Sequence, residues 1–118
     1  MLELTERHSG QTLVVAAAGR IDMATADQLK EKLIPLVTAA GKKGELVVLD
    51  FSGIEYISSA GLRVLMLAAK ESKSSGGKIA VAAMQPLVKE IFEISRFNKV
   101  LACHDGVDEA IAALGSAS

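Results

Sequence analysis

The feature that most constrains the fold is a short apolar strand followed, after a tight connection, by an unusually apolar helix. Residues 46–50 form a continuous apolar run that ends in an acid, which is typical of a strand covered on both faces, as in a parallel sheet. Gly53 marks the connection, and a helical pattern begins at Ser58 and Ser59. We predict a helix over about residues 59–72, where a serine hydroxyl can accept a bond from a first-turn N–H group.

The rest of the chain alternates strand and helix patterns after an opening hairpin. The predicted order is β-β-α-β-α-β-α-β-α, with strands near residues 2–6, 12–19, 46–50, 78–82 and 100–103. This alternation indicates a single α/β domain over residues 1–118, with helices packed against a mixed, mostly parallel sheet. In the first helix, Thr25 and Gln28 fit a capping box, and we expect Pro35 to kink the helix or split off its last turn. Residues 115–118 are expected to form a frayed tail.

Composition excludes several classes of function. Only 3% of the residues are aromatic and the net charge is −1, so the chain lacks the stacking platform and the basic field that nucleic acids require. No apolar run reaches the roughly 20 residues of a membrane helix, and the first residues lack the layout of a signal peptide. The single cysteine, Cys103, fits a reducing compartment. We therefore expect a cytoplasmic domain that binds neither nucleic acid nor a membrane directly.

The residues give little support for an enzyme. Residues 57–61, Ile-Ser-Ser-Ala-Gly, resemble the nucleophile elbow of serine hydrolases only weakly, because an isoleucine replaces its first glycine. The sequence contains no P-loop and no glycine-rich dinucleotide motif. Cys103 and His104 are adjacent, so on a strand they would point to opposite faces and chelate a metal poorly. We expect Cys103 to be a buried apolar residue and His104 a solvent-facing loop residue, and we predict no catalytic residue, no metal and no cofactor.

The serine pair remains as a candidate for modification. A phosphate on Ser59 would carry about −1.5 to −2 charges at pH 7, and the dipole and free N–H groups of a helix start favour negative charge. Phosphorylation should therefore leave the fold intact and act on whatever binds at this place. The residues alone favour the simpler interpretation, in which Ser58 and Ser59 only cap the helix, because capping serines are common.

Several short motifs, in the right order along nearly the whole chain, resemble those of STAS domains, the family of anti-sigma factor antagonists. The family signature is similar to residues 57–65, Ile-Ser-Ser-Ala-Gly-Leu-Arg-Val-Leu. Further similarities lie at residues 19–22, 46–50, 76–82, 86–88 and 107–110. Many members have an aspartate immediately before the signature serine, whereas this chain has Ser58.

The resemblance implies a partner-switching protein of the bacterial cytoplasm that regulates transcription. Its unphosphorylated form would bind an anti-sigma factor that is also a serine kinase, and so free the sigma factor. Phosphorylation by that kinase, at the expense of ATP, would end the binding, and a serine phosphatase would restore it. By position, Ser59 is the implied phosphoacceptor and Ser58 a second candidate. We expect the partner to contact Asp22, Ser58, Ser59, Gly61, Leu62, Arg63 and Met66.

Three other hypotheses stay open at this point. The chain could be a STAS subunit of a transporter-associated or sensory signalling complex. It could be a small nucleotide-binding domain with weak hydrolysis, or a structural interaction domain whose serines only cap a helix. We expect a monomer or a weak dimer.

Overall fold

The computed structural model describes residues 2–116 and has the predicted order of strands and helices. The elements are β1 (Leu2–Ser9), β2 (Thr12–Ile21), α1 (Ala26–Lys42), β3 (Leu46–Ile57), α2 (Ser59–Ser74), β4 (Lys78–Ala82), α3 (Pro86–Ile94), β5 (Ala102–His104) and α4 (Val107–Ser116). A 3-10 turn, Phe97–Lys99, connects α3 to β5. The predicted α/β class and element order are thereby confirmed.

The five strands form one sheet in sequence order, β1-β2-β3-β4-β5. The hairpin partner β1 runs antiparallel to β2, and the other three strand pairs are parallel. The mixed, mostly parallel sheet predicted from the alternation is therefore correct. Because β2 to β5 run in one direction, their carboxyl ends lie at one edge of the sheet, from which α1, α2, α3 and α4 depart.

Two separate apolar clusters cover the two faces of the sheet. The larger cluster joins α1, α2 and α3 to alternate residues of the strands, including Val47, Leu49 and Phe51 of β3. The smaller cluster packs Ala110 and Leu114 of α4 against the other face. Since successive side chains of a strand point to opposite faces, the continuous apolar run at the start of β3 is explained by helices on both sides.

The third strand is longer than predicted. It continues through Asp50 and Gly53 to Ile57, where the sequence suggested an end at Asp50 and a tight connection. Two register shifts in the pairing with β2 allow this extension. A Cβ atom at Gly53 would lie 2.9 Å from the Cβ of Ala18, so glycine is needed there because the two strands approach closely. The additional residues of β3 place Ser58 directly beyond the edge of the sheet.

The local predictions for α1 and the chain end were partly wrong. Thr25 is the N-cap of α1 but makes no side-chain capping bond, and Gln28 donates from Nε2 to the carbonyl of Leu2 instead of closing a capping box. Pro35 is exposed and lies inside α1. The helix nevertheless runs unbroken to Lys42, so the proline does not split off its last turn. Helix α4 extends to Ser116, so the first two residues of the predicted frayed tail, 115 and 116, are helical. Residues 117 and 118 lie outside the described residues.

Candidate functional site

The two serines at the start of α2 have different structural roles. Ser58 is the N-cap, with extended backbone angles, and its Oγ accepts a hydrogen bond from the Gly61 N–H at 3.3 Å. Its own N–H donates to the carbonyl of Ile21 at 2.8 Å. Ser58 is half-buried. The helix start is thus attached to the end of β2 through Ser58, whose hydroxyl is already occupied by the cap.

Ser59 is the first residue of α2 and is exposed. Within residues 2–116, its hydroxyl makes no hydrogen bond to another side chain or to the backbone, in contrast to that of Ser58. An N–H-rich helix terminus lies next to it, which is an environment that favours negative charge. The capping function that the sequence left divided between the two serines therefore belongs to Ser58.

Gly61 determines how closely α2 approaches the sheet. A Cβ atom at this position would lie 2.5 Å from Cγ2 of Ile21 and 2.8 Å from Cγ1 of Ile57. Both isoleucines are fully buried, so neither has free space to move into. Gly61 is itself buried, and its role in the structure is to let the first turn of α2 rest on β2 and β3.

Asp22 organises the turn between β2 and α1. Its Oδ1 accepts hydrogen bonds from the N–H groups of Ala24 at 3.0 Å and Thr25 at 3.1 Å, and the Thr25 hydroxyl donates to the carbonyl of Arg20 at 2.8 Å. The bond from the Thr25 N–H is the main reason why the pKa of Asp22 is held below its ordinary value. In the turn held by these bonds, Met23 faces solvent, and 83% of the surface of this residue is exposed.

A groove between α1 and α2 joins the Asp22 turn to the start of α2. Its volume is about 420 Å³, and its apolar lining includes Met23, Met66 and Leu67. Arg63 lies on the same side, one helical turn after Ser59. Of the predicted contact residues, Arg63 and Met66 line the groove, whereas Asp22 and Ser59 lie one residue before the lining residues Met23 and Ala60.

Of the seven predicted contact residues, only Arg63 and Met66 line the groove, and other groove residues were missed. Leu62 is half-buried and packs against the large apolar cluster, while Gly61 is buried beneath the helix. Met23 and Leu67 line the groove although neither was among the predicted contact residues. Only the relative rotation of two helices far apart in sequence reveals them, so no local signal could have identified the groove.

The cysteine–histidine pair lies at another place, near the end of β5. A cavity of about 460 Å³ there is lined by Met84, Lys89, Cys103, His104 and other residues. Burial, and secondarily the charge of Glu93, raises the pKa of the Cys103 thiol, which makes it a poor nucleophile at neutral pH. Both Cys103 and His104 are half-buried, and His104 ends β5 where the sequence predicted a loop residue facing solvent.

Over residues 2–116, no group of three or more histidine, cysteine or acidic side chains could hold a metal ion. In the same part of the chain, no helix has both the length and the apolar character needed to cross a bilayer.

Comparison with known proteins assigns the family. A family model described as "Mlab, STAS domain" matches residues 4–102. The "Putative anti-sigma factor antagonist BtrV" of Bordetella bronchiseptica is 34% identical over 116 residues, covering 98% of this chain and 97% of that protein. A crystal structure of an anti-sigma factor antagonist from Mycobacterium paratuberculosis superposes with a TM-score of 0.81 at 23% identity, over 97% of this chain and 94% of that chain.

The anti-sigma factor antagonist SpoIIAA of Bacillus shares the fold in two states. Its unphosphorylated form gives a TM-score of 0.73 at 17% identity, over 97% of both chains. Its phosphorylated form gives 0.64 at 17% identity, over 94% of this chain and 98% of that chain. Because the family model spans most of the chain and BtrV matches it from end to end, the chain belongs to the STAS domain family.

Proposed function

We propose that this protein is an anti-sigma factor antagonist controlled by phosphorylation at Ser59. In its unphosphorylated form it binds an anti-sigma factor that is also a serine kinase, and the sigma factor is thereby freed. The observation that carries the proposal is the division of roles at the start of α2, where Ser58 holds the cap and Ser59 is exposed with a free hydroxyl. The name of BtrV, which matches nearly the whole chain, supports the same function.

The position of Ser59 is suited to a switch that leaves the fold intact. A phosphate there would add about −1.5 to −2 charges beside unpaired first-turn N–H groups, where negative charge is stabilised. The Ser58 cap and the Gly61 packing lie on the buried side of the helix start and need not move. The effect of phosphorylation therefore falls on the bound partner through charge and bulk. A relative of this fold, SpoIIAA, has been solved in a phosphorylated form.

The chemistry of phosphorylation belongs to the partners. The chain is a regulatory protein without enzymatic activity, in which the kinase supplies ATP and a serine phosphatase restores the binding form. The two histidines that could act as bases lie away from Ser59: His8 pairs with Glu45 at 3.0 Å, and His104 lines the cavity beside β5. Such a cycle of kinase, phosphatase and sigma factor is expected in the bacterial cytoplasm.

Phosphate transfer from ATP provides the test. The purified chain is mixed with each candidate anti-sigma factor kinase and ATP, and the peptide carrying both serines is examined by mass spectrometry. We expect one phosphate on Ser59, none on Ser59→Ala, and continued modification of Ser58→Ala. Ser59→Ala should still bind the kinase, whereas Ser59→Asp should bind weakly while keeping the fold. If Ser59→Ala is phosphorylated as fully as the unchanged protein, the assignment of Ser59 is wrong.

A further inference from the structure

We infer that the groove between α1 and α2 receives an acidic amphipathic segment of the anti-sigma factor partner. The inference rests on the proposed function, since it specifies the chemistry by which that partner is recognised. It concerns residues of this chain that sequence analysis did not single out, above all Lys30, Leu67 and Lys70. The segment would present apolar side chains to the floor of the groove and carboxylates to its margins.

The apolar part of the argument is the concentration of exposed hydrophobic residues. Within residues 2–116, six large hydrophobic side chains are exposed, and three of them line this one groove. Met23 is 83% exposed, Leu67 43% and Met66 37%. Methionine side chains are flexible and adapt to an apolar surface of a partner. Clustering of this kind on a small domain marks an interaction surface more often than scattered exposure does.

The charges around the groove have one predominant sign. Lys30 of α1 and both Arg63 and Lys70 of α2 line it, opposed by the single carboxylate of Asp27. The net charge of the groove is therefore +2, whereas the whole chain carries −1. None of these four side chains takes part in an ion pair within the described part of the chain. The three cations are thus available to a partner, and complementary potentials favour an acidic one.

The spacing of the cations suggests how such a segment is arranged. Arg63 and Lys70 are seven residues apart on α2, which corresponds to two helical turns and about 10.5 Å along the axis. Lys30 lies across the groove on α1. A partner helix lying in the groove would match them with acidic residues about two turns apart, separated by apolar residues that reach Met23 and Leu67.

The same charge pattern explains why a phosphate at Ser59 would end binding. Ser59 and Arg63 are four residues apart on α2, so their side chains are neighbours on the helix surface. A phosphate on Ser59 would neutralise Arg63 and add negative charge at the end of the groove where an acidic segment enters. Repulsion between like charges would then oppose binding without any change in the shape of α2.

Charge reversal inside and outside the groove separates this inference from general electrostatics. Lys30→Glu and Lys70→Glu alter the groove, while Lys32→Glu on α1 and Lys73→Glu on α2 change the net charge equally but lie outside it. Binding of each variant to the purified anti-sigma factor kinase is measured by calorimetry at low and high salt, with folding checked by circular dichroism. We expect each groove variant to raise the Kd about 10-fold or more at low salt, and each control to change it less than about 2-fold.

The outcomes distinguish the inference from the proposed function. If the unchanged protein binds the kinase and the groove variants have the same Kd as the control variants, the acidic-segment inference is overturned while the antagonist function stands. If reversal strengthens binding, the segment is basic and the inference is wrong. If the unchanged protein binds no anti-sigma factor kinase, the proposed function fails and the inference fails with it.

Discussion

Replacing each serine of the pair by alanine should separate the structural role of Ser58 from the proposed modification role of Ser59. Ser58 Oγ accepts the Gly61 N–H at 3.3 Å, and losing an N-cap hydroxyl costs about 0.5–2 kcal/mol. Because this bond is slightly longer than usual, we expect Ser58→Ala to lower the free energy of unfolding by about 1 kcal/mol. Ser59 is exposed and its hydroxyl is free, so Ser59→Ala should change it by less than about 0.5 kcal/mol.

These differences are measurable as shifts in melting temperature. An unfolding entropy of about 2.1 cal/mol/K per residue corresponds to about 0.25 kcal/mol/K for a chain of this length. Ser58→Ala should therefore lower the Tm by about 4 °C, and Ser59→Ala should shift it by less than about 2 °C. Thermal unfolding followed by circular dichroism at pH 7, together with urea titration at constant protein concentration, provides both quantities.

Ser58→Asp is the matched control for the cap. A carboxylate caps a helix as well as a hydroxyl does and is favoured by the helix dipole, so this variant should recover the stability that Ser58→Ala loses. Two results would refute the reasoning. One is a loss in Ser59→Ala as large as that in Ser58→Ala, and the other is a failure of Ser58→Asp to recover stability. The first would mean that the Ser59 hydroxyl is not free, and the second that the hydrogen bond to Gly61 is not what Ser58 contributes.

Three further predictions concern other parts of the structure. Gly61→Ala should lower the free energy of unfolding by about 1–2 kcal/mol, because overpacking outweighs the gain in helix propensity. The control Gly115→Ala, which has open space around its added Cβ, should not lower it. Equal urea midpoints for the two variants would contradict this prediction. The unchanged protein should be more stable than Asp22→Asn at any pH above the ordinary pKa of the Asp22 carboxyl. This difference should vanish as the pH falls through the lowered pKa of that carboxyl in the folded protein. Urea titrations from pH 7 downward measure it. The Cys103 thiol, whose pKa is raised, should react with iodoacetamide more slowly at pH 7 in the folded protein than in urea, and equal rates would argue against the burial described.

Much of the fold follows from local sequence patterns. The continuous apolar run at the start of β3 requires cover on both faces, and the structure supplies it with α2 on one side and α4 on the other. The alternation of strands and helices after the hairpin requires crossover connections, which explains the parallel pairing of β2 to β5. These properties depend on residue type and on spacings of two to four residues, and such spacings are visible in a single sequence.

The errors arose where distant residues decide the local structure. The end of β3 was misplaced because its extension depends on pairing with β2 and on the close approach of Gly53 to Ala18. The capping box at Gln28 failed because the Leu2 carbonyl, brought near by the hairpin, offered its side chain a different partner. Propensities describe what a segment does alone, and tertiary contacts override them where a better partner is present.

By itself, the sequence determined the α/β order, the apolar helix that starts at the serine pair, and the resemblance to STAS domains through the signature around Ser59. Only the tertiary structure decided which serine is the cap, because the hydrogen bond to Gly61 depends on the angle at which the chain leaves β3. It also created the groove, since Met23, Leu67 and the three cations come from two helices whose relative position is set by packing on the sheet. Periodicity tells which face of a helix is buried, but the neighbours of its exposed face are decided by three-dimensional contacts.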